Sequence, residues 1–402
     1  MGLTLPGCGD AAPSDEAGED TTAAAEVSSG AASEGPTSGG PGAATTGNGD
    51  GSTSDGGDTT VGSDGGSEDT ASVPVDDCDP IDLAATNQVV ELPPGCPSPT
   101  CTSTGLTPLT DLGTGEFLGV QGGLYCGGSN LRPPSHDQRG LMLANEVQPR
   151  ASDGQIDPVD GRVVLLSIGM SNTNQEFGAF LDDYGDDPQL SDQLVIVNGA
   201  LSGQASEAWA ETEVPWTNLD DVLASASVTP EQVAVVWIKL THLEGYSICG
   251  NDPPFQGPVP CFPAGAKSLY DDMVVILQRL EATFPNLSIA YLSSRVYGGY
   301  ANGGPSPDPF AYASNFAMKG LILDQITGTN PDVAEPLVPW LAWGPYLWAD
   351  GLTPRSDGLT WEVTDFAQDG IHPAASGRAK VAGLLWDFFS TDATSTPWFL
   401  GR

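Results

Sequence analysis

The chain has 402 residues, with 53 acidic against 13 basic side chains and a formal charge of -40. Such a balance excludes nucleic acid as a partner, because phosphate binding needs clustered Lys and Arg. Anionic membrane surfaces are excluded on the same ground, and no apolar run approaches the roughly 20 residues of a membrane-spanning helix.

The opening residues, MGLTLPGCGD, lack the basic region and apolar core of a complete signal peptide. Leu5-Pro6-Gly7-Cys8 nonetheless resembles a bacterial lipobox, in which a Cys after a small residue is lipid-modified. The expectation is therefore lipidation at Cys8, with the signal upstream of Met1; the alternative is a Cys in an unstructured tail. From residue 9 to about 75 the chain is Gly, Ser, Thr, Ala, Asp and Glu, and no Lys or Arg occurs before Arg132. Too little apolar surface is available there to offset ordering entropy, so residues 1–75 read as a disordered acidic stalk.

Residues 76–155 are rich in Cys and Pro, with strand-like pieces at Asn87–Leu92 and Glu116–Gln121. They read as a disulfide-braced extension of the main domain. Besides Cys8, six cysteines remain, enough for three disulfides in an oxidising compartment. Cys249 and Cys261 bracket a Pro- and Gly-rich loop and are expected to pair. Cys78, Cys96, Cys101 and Cys126 can pair in three ways. A zinc knuckle is disfavoured by the Cys96/Cys101 spacing and by the lack of a His among the four.

From about 156 to 402 the texture changes to alternating strands and helices. Arg162–Ile168, Gln193–Asn198, Gln232–Leu240 and Ser288–Ser294 are nearly continuous apolar runs, as parallel strands buried on both faces require. Ala266–Phe284, Pro309–Ile326 and Ala374–Phe389 carry helical spacing, and Leu337–Gly351 reads as a loop or short strand. The pattern predicts an α/β three-layer sandwich around a parallel sheet. Ligands of such sheets sit beyond the carboxyl ends of the strands.

Three histidines exist: His136, His242 and His372. His372 lies in Asp369-Gly-Ile-His-Pro373, with Pro373 suited to the first position of the following helix. The three-residue spacing lets the Asp369 carboxylate hold one ring nitrogen while the other faces a cleft, as a base and its orienter need. Ser171 follows the first strand directly, in Gly169-Met-Ser-Asn-Thr173, where a nucleophile is rigidly held next to backbone amides. Thr173 stands where an α/β-hydrolase elbow would need Gly, which excludes that fold. Of the tryptophans Trp209, Trp237, Trp340, Trp343 and Trp348, Trp237 alternates within a strand and reads as core, and packing outweighs sugar stacking for the rest.

Three blocks together, Ile168–Thr173, Asn198–Ser206 and Asp369–Ala382, resemble the SGNH (GDSL-like) hydrolase superfamily over about 156–402. The first is nearest the GQSN variant of carbohydrate acetylesterases. The resemblance implies a flavodoxin-like SGNH fold with Ser171 as nucleophile, His372 as base and Asp369 as orienter. It puts the oxyanion hole at Ser171 and Gly203. The family's usual third block, with an Asn donor, is missing: the third strand runs Val235–Gly245 without Asn. His242 is then the first substitute donor and Lys239 the alternative.

The resemblance further implies removal of acetyl or short acyl groups from a small-molecule or carbohydrate ester, extracellular polysaccharide included. No metal or organic cofactor is implied. The expected setting is secreted or cell-envelope, as a monomer that meets the membrane only through Cys8. The competing class is a surface binding module on the same fold with a decayed site, which the atypical third block favours.

Overall fold

The computed structural model describes residues 78–243, 259–303 and 307–401. Cys8, the acidic segment 1–75 and the Cys249–Cys261 pairing therefore lie outside what is described.

The strands are β1 (Gln88–Val90), β2 (Glu116–Phe117), β3 (Val120–Gln121), β4 (Val163–Gly169), β5 (Leu194–Asn198), β6 (Val233–Lys239), β7 (Val259–Phe262), β8 (Ile289–Leu292) and β9 (Trp340–Trp343). The helices are α1 (Leu109–Leu112), α2 (Pro134–Glu146), α3 (Ser171–Tyr184), α4 (Ser206–Glu211), α5 (Val214–Ser225), α6 (Ala264–Thr283), α7 (Phe310–Thr327), α8 (Ala375–Thr391) and α9 (Thr396–Phe399). Among the described residues the main sheet has five parallel strands in the order β5-β4-β6-β8-β9. Numbered by themselves these run 2-1-3-4-5, the flavodoxin-like order, in which the strand sequence reverses between β4 and β6. The expected α/β sandwich is thus the observed one.

Burial explains why these segments are strands. Every residue of β4 and β6 is buried, so both faces must be apolar and no polar alternation is visible. Trp237 and Tyr291 are register partners on β6 and β8. Phe177 of α3 stacks on Trp237 at 5.5 Å, and Phe388 of α8 meets Tyr291 edge-on at 5.0 Å. These contacts define one helical layer. On α6, Leu269, Met273, Ile276, Leu277 and Leu280 form a buried stripe at helical spacing, and α6 packs on α4 and α7.

The extension from residue 78 departs from expectation in detail. Glu116–Gln121, read as one strand, folds back at Leu118 and Gly119, both with positive φ, into the β2–β3 hairpin. Asn87–Leu92 yields β1, which pairs antiparallel with β7. The disulfides are Cys78–Cys126 and Cys96–Cys101, one of the three pairings left open. Arg132 forks onto Asp392 at 2.9 and 3.1 Å and reaches Asp137 at 2.7 Å, tying the extension to the end of α8. His136 is a core residue, its Nε2 2.8 Å from the Leu341 carbonyl oxygen.

The tightest clasp is Asp350, which is buried. Its carboxylate accepts from Ser103 Oγ (2.5 Å), Thr104 N (2.6 Å), Thr104 Oγ1 (2.6 Å) and Gly105 N (3.1 Å). Removing this acceptor would orphan the buried amide and hydroxyl of Thr104 at once. Asp350→Ala is expected to cost about 2–4 kcal/mol in urea unfolding, since each buried donor left unmet is costly. Limited proteolysis should then cut first in residues 96–106. An unchanged midpoint and an unchanged cleavage pattern would show that the clasp contributes little.

Candidate active site

β4 ends at Gly169, Met170 caps the following helix in an extended conformation, and Ser171 is the first residue of α3. Ser171 therefore sits at the carboxyl end of β4, where the strand order reverses. First-turn amides of a helix have no acceptor within it and carry its positive dipole end. An anion next to Ser171 would meet both.

The loop Phe366–Ala374 brings in the partner residues. Phe366 and Pro373 form an antiparallel bridge, Ala367 N donates to the His372 carbonyl at 2.8 Å, and Ala374 N donates to the Asp365 carbonyl at 2.8 Å. Gly370 makes the turn possible: its φ is +69°, and a Cβ there would lie 2.0 Å from the Tyr300 carbonyl oxygen. Helix α8 starts at Ala375, so Pro373 stands ahead of the helix rather than in its first turn, contrary to expectation.

Within this loop His372 Nδ1 lies 2.6 Å from Asp369 Oδ2, while Asp369 Oδ1 accepts from Ile371 N at 2.9 Å and His372 N at 3.0 Å. Partial burial alone would raise the Asp369 carboxyl, but the His372 ring and the two amides outweigh it and hold it below its ordinary range. The other ring nitrogen, His372 Nε2, lies 2.9 Å from Ser171 Oγ. Ser171, His372 and Asp369 thus form one continuous hydrogen-bonded chain, partly open to solvent at its acidic end.

Asparagines fix the two ends against each other, a role the sequence reading did not assign. Asn172, fully buried, donates through Nδ2 to the Ile371 carbonyl at 2.7 Å, so the residue after Ser171 holds the residue before His372. Asn198 Oδ1 accepts from Ser167 Oγ at 2.8 Å, and its Nδ2 donates to the Asn174 carbonyl at 2.9 Å. Asn174 in turn donates to the Ala200 carbonyl at 2.6 Å. For Asn172 and Asn198 the position inside the first two motif blocks was the available signal; Asn174 lies just past the first block. Gly203 lies beyond this network in a left-handed conformation, φ +78°, with nothing within 4 Å of where a Cβ would stand.

The two substitutes for the missing Asn both have carboxylate partners of their own. Lys239 is fully buried and turns into the interior, where its ammonium pairs with Glu176 of α3. Burial outweighs this partner and pushes the lysine down to about 8. It cannot serve a solvent-facing oxyanion. His242 Nδ1 lies 2.8 Å from Asp272 Oδ2 and 3.5 Å from Glu207 Oε1. Its Nδ1 is thus already engaged by carboxylates. Trp209, Trp237, Trp340, Trp343 and Trp348 are all buried, so their part is packing rather than sugar stacking.

The chain is, in class, a parallel α/β protein with a Ser–His–Asp hydrogen-bonded chain at the carboxyl edge of its sheet. No protein-family model matches it, and no curated protein does. Among solved structures, an extracellular lipase from Streptomyces rimosus is 12% identical, over 56% of this chain and 99% of that one, with a TM-score of 0.31. A Lactobacillus plantarum protein is 16% identical, over 57% and 97%, with a TM-score of 0.32. A Bacillus subtilis protein is 13% identical, over 58% and 57%, with a TM-score of 0.29. Similarity this low says nothing about chemistry, which rests on the residues themselves.

The Lys239 placement is testable. Glu176→Gln would leave Lys239 and the buried Arg295 without their anion, and is expected to cost about 3–5 kcal/mol in urea unfolding. Lys239→Met should cost less, because Arg295 still faces Glu176. A Lys239→Met protein that loses as much stability as Glu176→Gln would contradict this placement.

Proposed function

We propose that the protein is a serine ester hydrolase of the SGNH kind, acting on acetyl or other short acyl esters. The observation that carries this reading is the unbroken contact from Ser171 Oγ to His372 Nε2, 2.9 Å, and from His372 Nδ1 to Asp369 Oδ2, 2.6 Å. In the proposed reaction His372 takes the Ser171 proton as Oγ attacks the ester carbonyl. Asp369, kept ionised by its amide bonds, stabilises the imidazolium that results. The proton then passes to the leaving alcohol, and a water activated by the same imidazole releases the acyl group.

The negative charge that develops on the carbonyl oxygen is assigned to the N–H groups of Ser171 and Gly203. The first belongs to the positive end of α3; the second is presented by a loop whose left-handed turn leaves open space beside it. If no side chain supplies a third donor, the reaction should be slower than in an enzyme that has one, since one donor contributes about 10²–10³ in rate. A short acyl group and an extracellular carbohydrate ester remain the substrate reading that the sequence resemblance supports. Paired disulfides fit an exported protein.

Hydrolysis of p-nitrophenyl acetate by the purified chain tests the proposal. Ser171→Ala and His372→Ala should each lower kcat by at least about 10³-fold while the melting temperature stays within a few degrees. The double variant should be scarcely worse than either single one, because the members of such a chain act as a unit. Wild-type turnover in Ser171→Ala would remove Ser171 as nucleophile. No turnover by the wild-type chain on any acyl ester would leave the binding-module reading.

A further inference from the structure

The carboxylate contacts of His242 Nδ1 give it a further use. Three elements converge there: Glu207 from the first turn of α4, His242 from the segment after β6, and Asp272 from the middle of α6. One ligand atom from each, Glu207 Oε1, His242 Nδ1 and Asp272 Oδ2, lies within 4.8 Å of the others. We propose that these three side chains bind a divalent transition-metal ion, of which Zn²⁺ is the natural probe.

Ligand chemistry is the first support. One imidazole nitrogen with two carboxylate oxygens is a donor set suited to Zn²⁺ and its first-row neighbours, whereas Ca²⁺ and Mg²⁺ favour oxygen alone. Spacing is the second. Metal–ligand bonds of about 2.0–2.1 Å put neighbouring ligands of a tetrahedral ion about 3.3 Å apart. The observed separations from His242 Nδ1, 2.8 Å to Asp272 and 3.5 Å to Glu207, bracket that edge. An ion would take the place of the proton between His242 Nδ1 and Asp272 Oδ2, with the third edge, Glu207 to Asp272, lying within 4.8 Å.

Outer contacts already orient the ligands. Ser206 Oγ donates to Asp272 Oδ2 at 2.5 Å, and Leu243 N donates to Glu207 Oε1 at 2.7 Å. Ligating carboxylates are commonly held by such hydrogen bonds. Ser206 N also donates to the Thr241 carbonyl at 3.0 Å, so the segment that follows Gly203 is stitched to the end of β6 right beside the three ligands. An ion here would pin the Gly203 loop to α6. Its role would be structural support beside the proposed catalytic chain, not a step in the reaction, so it stands or falls apart from the esterase reading.

The test is zinc binding by the full chain after chelator treatment, followed by calorimetry and by the shift in melting temperature. The wild-type protein should bind one Zn²⁺ at this site and gain thermal stability from it. His242→Ala and Asp272→Asn should each weaken that binding by more than about 100-fold, beyond the loss usual for an outer-shell change, and abolish the thermal gain. Asp272→Asn is nearly isosteric and keeps the test readable if His242→Ala unfolds. His372→Ala should leave zinc binding unchanged, separating this site from the Ser171 chain. Equal affinity in wild type, His242→Ala and Asp272→Asn would overturn the proposal, as would loss of binding in His372→Ala alone.

Discussion

A single hydrogen bond, Ser171 Oγ to His372 Nε2, joins segments 201 residues apart in sequence. Nothing local can hold such a contact to within a few tenths of an ångström. It depends on a rigid parallel sheet whose strands all deliver their carboxyl ends to one edge. β4 delivers Ser171 there, and the bridge between Phe366 and Pro373 holds His372 opposite it. Asn172 closes the gap between them through the Ile371 carbonyl. The Ser171 and His372 segments are thus joined by Asn172 and the Ile371 backbone as well as by the Ser171–His372 bond itself.

Beneath this edge the structure keeps a charge in the core. Glu176 and Lys239 link α3, the helix that Ser171 opens, to the central strand β6, and Arg295 adds a second buried cation nearby. A buried ion pair is seldom a net stabiliser against an apolar substitute, though breaking one is expensive. Its consequence here is positional: α3 cannot slide along β6 without separating the pair. The same end of β6 carries Thr173's hydroxyl bond to the Lys239 carbonyl, 2.6 Å. Helix and strand are thus joined twice, within the first five residues after Ser171.

Much of this was legible in the sequence because burial on both faces writes a strand as an unbroken apolar run. β4, β6 and β8 follow from that signal and the three long helices from theirs, whereas β5, apolar in sequence, is an edge strand only partly buried. The Ser171 and His372 segments were legible because each sits at an abrupt end of such an element. What failed did so for physical reasons. Lys239 lies at the last position of β6, where alternation alone does not say which face a side chain takes, and the carboxylate that claims it is far away in sequence. The Glu207–His242–Asp272 grouping draws on three elements whose approach only the fold reveals. Disulfide pairing among Cys78, Cys96, Cys101 and Cys126 is a matter of tertiary distance, and the β2–β3 hairpin turned on a positive φ at Leu118, a residue type that does not announce one.

The central claim is that Ser171 is an activated nucleophile, and covalent capture tests it most directly. The chain would be treated with a fluorophosphonate ester, which reacts with activated serines, and the adduct located by peptide mass spectrometry. A single adduct on Ser171, formed in the wild-type chain and suppressed at least about 10³-fold in His372→Ala, is the result this account predicts. An unmodified Ser171, or an adduct that forms equally fast without His372, would contradict it.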